Sequence, residues 1–203
     1  MFYLFFLLAV LLSFALLFSV VKTGTFKSWA RAFRIVIVGI SVVAYTYYFI
    51  QKSIDHFIKD SMTVQVVNKL PFPLDFYLIK INDNADPDLK FETRHLGNIR
   101  NNFYRLDYLK MTNSDEFWIA AYMGKKNLVY FSQHSVPHKN EDQIIEVQNY
   151  IVQSSKLAEI AKTRIEALKF DNIKTAIWMT LGLLRLFLNL ALLVRKKKIK
   201  IPK

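Results

Sequence analysis

TAIWMTLGLLRLFLNLALLVRKKKIKIPK, residues 175–203, decides the class of this chain. Residues 175–194 are apolar apart from one charge, and about twenty such residues in a helix match a hydrocarbon core of about 30 Å. The cluster that follows, Arg195, Lys196, Lys197, Lys198, Lys200 and Lys203, contains no acid. An apolar run ending in a basic cluster is the pattern of a membrane helix whose C-terminal flank lies in the cytoplasm.

The same signature recurs near the N-terminus. Residues 1–21 are uncharged and read as a first span; residues 33–51 read as a second. Between them Lys22, Lys27, Arg31 and Arg34 again occur without acid, so segment 22–32 is expected on the cytoplasmic side. Trp29 and the Tyr45, Tyr47, Tyr48 group fall where interfacial aromatics belong. A cleaved signal peptide would need a basic region before the apolar run and a small-residue cleavage site after it, and neither is present. Three spans at 1–21, 33–51 and 175–194 then close one topology: N-terminus periplasmic, loop inside, central domain outside, tail 195–203 inside.

Charge distribution excludes another class. The net charge of +12 would suggest nucleic acid if it covered a soluble surface. All 16 acidic residues lie between Asp55 and Asp171, where Lys and Arg nearly balance them, and the excess flanks the apolar runs. No nucleic-acid partner is expected; the basic flanks suit anionic membrane lipids and orientation. Cysteine is absent, which removes disulfides, thiolate metal sites and cysteine nucleophiles. The twelve asparagines form no N-x-Ser/Thr sequon, and an exported domain without disulfides fits a bacterial periplasm. A multi-pass protein of the bacterial plasma (inner) membrane is the expectation.

The segment 52–153 has a different rhythm. Short runs rich in β-branched and aromatic residues at 62–67, 74–81, 89–94, 103–110, 116–122, 128–132 and 144–151 predict seven strands, separated by Pro71 with Pro73, the 82–88 loop, Gly97-Asn98, Asn113-Ser114, Gly124 and Pro137. Such spacing predicts an antiparallel, immunoglobulin-like β-sandwich between spans 2 and 3, within an α+β membrane protein. A smaller α+β domain is the competing reading. From residue 154 the period returns to helical: Leu157, Ile160, Ala161, Ile165 and Leu168 form one stripe, predicting an amphipathic stalk over 154–174. With no Gly or Pro before Gly182, the stalk is expected to continue into the third span as one rod, or to kink at Asp171-Asn172.

Arg185 is the candidate site residue. It interrupts the third span with ten uncharged residues before it and nine after. A charge at that depth costs at least about 2.5–3.5 kcal/mol on insertion scales, so it is paired, faces a bundle interior or lines a cavity. No acid in the other spans can pair with it. The readings are snorkelling or contact with backbone carbonyls, Ser41, Thr46 or Asn189; a carboxylate on another subunit; or a place in ion passage.

Chemistry-bearing patterns elsewhere are weak. His134 and His138 have metal-like spacing, but Pro137 predicts a loop and no third ligand is near in sequence. Asn82, Asn84, Asp86 and Asp88 alternate oxygen donors as in a calcium loop, without its Gly or closing Glu. No catalytic motif, cofactor signature or phosphate-cradling loop is present. The expected function is a non-catalytic accessory or scaffold subunit of a larger envelope membrane complex, binding other integral membrane subunits through Arg185 and the periplasmic domain. A transporter or channel component acting as a homo-oligomer is the alternative.

Overall fold

The computed structural model describes residues 2–21, 23–24, 26–54, 61–82, 90–124, 126–138 and 141–194. The protein is α+β, with the elements α1 (Phe2–Phe18), α2 (Phe26–Ile54), β1 (Met62–Asn68), β2 (Leu74–Ile81), β3 (Phe91–Ile99), β4 (Tyr104–Leu109), β5 (Glu116–Met123), β6 (Asn127–Ser135), β7 (Gln143–Val147) and α3 (Ser155–Val194). Two compact units result: Met1–Ser53 with Phe170–Lys203, and Ile54–Lys169. Two helices, α2 and α3, are long and apolar enough to cross a membrane, while α1 is a shorter apolar helix of 17 residues.

In the Ile54–Lys169 unit the strands form two sheets, ordered β4-β1-β7 and β3-β2-β5-β6. The four-stranded sheet is antiparallel throughout. In the other sheet β1 runs antiparallel to β4 but parallel to β7, a departure from the fully antiparallel expectation. The order also differs from the immunoglobulin constant-type wiring, with which it shares the β2–β5 pairing alone.

Both sheets contribute to one core. Met62, Val64 and Val66 of β1 and Leu109 of β4 meet Leu74, Phe76 and Leu78 of β2 and Phe117, Ile119 and Ala121 of β5. The alternate residues of β2 and β5 turn the other way. Tyr77, Ile79, Ile81, Trp118, Ala120 and Tyr122 form a second core with Phe131 and the α3 residues Ala158, Ala161 and Ile165. The continuous apolar runs of β2 and β5 are explained by this burial on both faces.

The first half of α3 is therefore a third layer rather than the stalk expected from its stripe. Ser154 starts it, its Oγ accepting from the Leu157 amide at 3.4 Å. Helix structure is continuous through Asp171 and Asn172.

β3 extends to Ile99, past the expected end at Arg94, because Gly97 takes φ +92° at a bulge opposite Phe76 and Tyr77. The extra residue, Leu96, enters the shared core, and His95 comes to lie on Tyr77.

In the helical unit, contacts give the helix directions. Phe18 meets Phe26 and Phe33, whereas Phe5 meets Tyr45 and Tyr48, so α1 and α2 are antiparallel. Phe2 and Phe6 meet Trp178, and Ala9 meets Arg185, so α1 and α3 run parallel. Phe5, Leu8, Leu12, Ile37, Val38, Tyr45 and Leu186 form the common core. Gly182 permits close approach of α2 to α3: a Cβ there would collide with the Tyr45 hydroxyl.

Candidate functional site

Half-buried Arg185 is part of a polar layer of the helical unit. Its Nη1 donates to the Ala9 carbonyl at 3.1 Å, and the same carbonyl accepts from Ser13 Oγ at 2.7 Å. One turn further, fully buried Asn189 donates from Nδ2 to the carbonyls of Leu12 and Arg185, both at 3.0 Å. One of the readings of Arg185, contact with a backbone carbonyl, is present, on α1. Ser41 is buried without a hydrogen-bond partner among the described residues, and Thr46 is exposed.

These bonds do not neutralise the charge. A guanidinium has five N–H donors and a full positive charge, while the sequence of this unit holds one acid, Asp171, fourteen residues before Arg185. Asn189 Oδ1 and the Tyr45 hydroxyl are also buried and have no partner among the described residues. The layer therefore combines an uncompensated cation with unsatisfied polar atoms, a costly combination in apolar surroundings.

Arg34 repeats the situation, although its charge groups it with the basic loop residues Lys27 and Arg31. It lies well inside α2, is 9% exposed, and its Nε and Nη2 lack partners among the described residues. Its stripe mates Ala30, Ile37, Val38, Ser41 and Tyr45 are the buried residues of that helix. The signal in the sequence is this i, i+4, i+7, i+8 spacing, which the basic charge of Arg34 obscures.

In the Ile54–Lys169 unit, one face of the three-stranded sheet carries exposed apolar side chains. On the three-stranded sheet Gln65 stands between Leu106 and Ile144, and Val67 between Tyr104 and Glu146. Tyr104, Leu106 and Ile144 are exposed, as is adjacent Phe103. Beside them a groove of about 680 Å³ is lined by Arg100, Phe103, Tyr104 and Arg105 among others. Aromatic residues with Arg are the composition of protein-binding hot spots.

Charged groups elsewhere in this domain are spent on structure. Lys80 Nζ lies 2.6 Å from Glu92 Oε2, and Arg94 Nη2 lies 2.6 Å from Glu92 Oε1. Arg94 also donates to the Tyr108 carbonyl, tying β3 to β4, and Lys80 of β2 donates to the Lys110 carbonyl just beyond β4. Burial raises the Glu92 pKa, but hydrogen bonds from Lys80 and Arg94 outweigh it and hold the carboxyl below its ordinary range.

Asp75 accepts from Tyr77 Oη at 2.7 Å and pairs with His95 Nε2 at 2.6 Å. Burial, then the Asp75 hydrogen bond, pushes the Tyr77 hydroxyl well above its ordinary value. Nearby, Tyr122, Lys126, Lys162, Glu166 and Lys169 line a cavity of about 420 Å³, with the Lys169 ammonium over the Tyr122 ring.

His134 is not on a loop. It sits in β6, stacked on Phe117, its Nε2 2.7 Å from Ser132 Oγ, and burial lowers its pKa. His138 is exposed beyond the strand end. No group of three His, Asp or Glu that could hold a metal occurs among the described residues. Of the calcium-like quartet, Asn84, Asp86 and Asp88 lie outside the described residues. The chain matches no protein family and no curated protein.

Proposed function

We propose that this protein is a non-catalytic accessory subunit of a larger membrane complex in a bacterial plasma membrane. The observation that carries this reading is Arg185: a charge inside an apolar helical unit, held by one carbonyl and lacking any acid of its own chain within that unit's apolar stretches. A carboxylate from another integral membrane subunit would supply the missing charge and use the remaining donors.

In this reading α1, α2 and the second half of α3 are three spans, with both ends of the topology as the basic flanks require. Parallel α1 and α3 with antiparallel α2 support that arrangement. The outer domain is a sandwich of immunoglobulin-like layout, supported by seven strands in two sheets around one core, though with its own wiring. Its uncovered face at Tyr104, Leu106 and Ile144 is the surface for a second contact with the partner.

A homo-oligomeric transporter or channel component is the second reading, favoured by the buried unpartnered Ser41 Oγ, Tyr45 Oη and Asn189 Oδ1. Gentle-detergent purification of the native protein with identification of what accompanies it separates the two. A stoichiometric membrane partner, lost from Arg185→Leu while that variant still inserts, supports the accessory reading. Retention of every partner by Arg185→Leu at wild-type yield sinks the pairing idea, and recovery of the chain as a homo-oligomer alone favours the second reading.

A further inference from the structure

Arg34 has the stronger demand for an external ligand. Its two buried unpartnered nitrogens, Nε and Nη2, form one edge of the guanidinium, the edge that pairs side-on with two oxygens of a phosphate or carboxylate. Among the described residues this charge has no counter-ion within reach. Residues 1–54 contain no acid, and Asp171 belongs to the Phe2 end of α1, whereas Arg34 follows Phe33, which packs on Phe18 at the other end. The seventeen residues of α1 separate those ends by roughly 24 Å at 1.5 Å per residue.

The surroundings favour a lipid phosphate over a protein carboxylate. Phe18, Phe26, Trp29 and Phe33 form an aromatic cluster at this end, with centroid separations of 4.9–5.8 Å. Such clusters mark the headgroup level of a bilayer. Lys27 and Arg31, seven and three positions before Arg34, are exposed and add to the attraction for an anionic leaflet. The head of Arg34 is enclosed in this structure, so meeting a phosphate requires a rotamer change that leaves the methylene stem in apolar packing and turns the guanidinium toward that level.

We propose that Arg34 binds the phosphate of an anionic phospholipid of the cytoplasmic leaflet, assisted by Lys27 and Arg31. The proposal rests on the membrane reading of α2. Phosphate oxygens replace the missing partners of Nε and Nη2, so the lipid is a structural ligand of the helical unit and differs from bulk lipid in residence time.

The test uses the full-length chain, delipidated in neutral detergent and given phosphatidylglycerol or phosphatidylcholine in mixed micelles, with retained lipid counted by native mass spectrometry. Roughly one phosphatidylglycerol per chain is expected, with weaker retention of phosphatidylcholine. Arg34→Gln should lose about tenfold of this retention, Arg34→Lys should keep part of it, and Arg31→Gln should lose less. Thermal unfolding of each variant checks that it is folded.

Equal retention by wild type and folded Arg34→Gln overturns the site, as does absence of retention by wild type, which would point to a partner carboxylate. Displacement of the lipid by millimolar inorganic phosphate, with the same stabilisation, would make free phosphate the ligand and overturn the lipid assignment. Failure of the membrane reading is read separately, by thiol labelling at Ser28→Cys from the outer side.

Discussion

Tyr122 shows how a residue can be well packed and poorly satisfied together. It is 3% exposed, packs on Tyr77 and under Lys169, and its hydroxyl has no hydrogen-bond partner among the described residues. Burial, then Glu166 and Glu159, push that hydroxyl up to about 12. Removing a buried unsatisfied hydroxyl while keeping the ring is expected to stabilise the fold by about 1 kcal/mol. Tyr122→Phe should therefore raise the denaturation midpoint of the β-domain, as followed by circular dichroism. The variant should also lose less stability above pH 10, because the raised folded value makes alkaline loss begin at the unfolded value of 10.0. A lower midpoint would mean that the hydroxyl has a role the packing does not reveal. At this same scale Arg185 was legible as a charge inside an apolar run, and Arg34 was not. Its charge argued for the loop, and only the start of α2 at Phe26 puts it on an inward stripe.

Among the elements, β2 and β3 carry a pH dependence. Glu92 has a folded pKa held below its ordinary 4.5, so its stabilising contribution is complete above that value and is lost as pH falls through the folded one. His134 in β6 is lowered from 6.5 by burial, so the unfolded chain takes up its proton first and stability starts to fall below that pH. Urea midpoints of the wild type should thus decline on acidification from about 6.5, and more steeply below about 4.5. Glu92→Gln should flatten the lower limb while reducing stability at neutral pH, because Lys80 and Arg94 lose their counter-ion. A wild-type and variant difference that is constant across the whole range would contradict the assignment of the lower limb to Glu92. The helical stripe of α3 was readable from its period, but its role was not. Periodicity identifies an apolar face without naming what covers it, and here the cover is the Tyr77, Ile79 and Trp118 face of the four-stranded sheet.

For the whole molecule, the absence of native cysteine makes sidedness directly measurable. Ser114 is buried, so the reporter on the outer domain belongs at exposed Asn113, and the inner one at exposed Ser28. Asn113→Cys should react with an impermeant thiol reagent in intact spheroplasts, and Ser28→Cys only after permeabilisation. The opposite pattern would reverse the topology on which the accessory-subunit proposal stands. By itself the sequence determined the division into apolar helices and a strand-rich segment, since hydropathy runs and two-residue alternation are local properties of the chain. It also located most strands and singled out Arg185. Only the tertiary structure decided the pairing of β1 with both β4 and β7, the burial of β2 and β5 on two faces, the α3 layer on the sheet and the inward turn of Arg34. Each of these depends on which distant residues meet, and the free energy that selects them comes from burying one apolar surface against another.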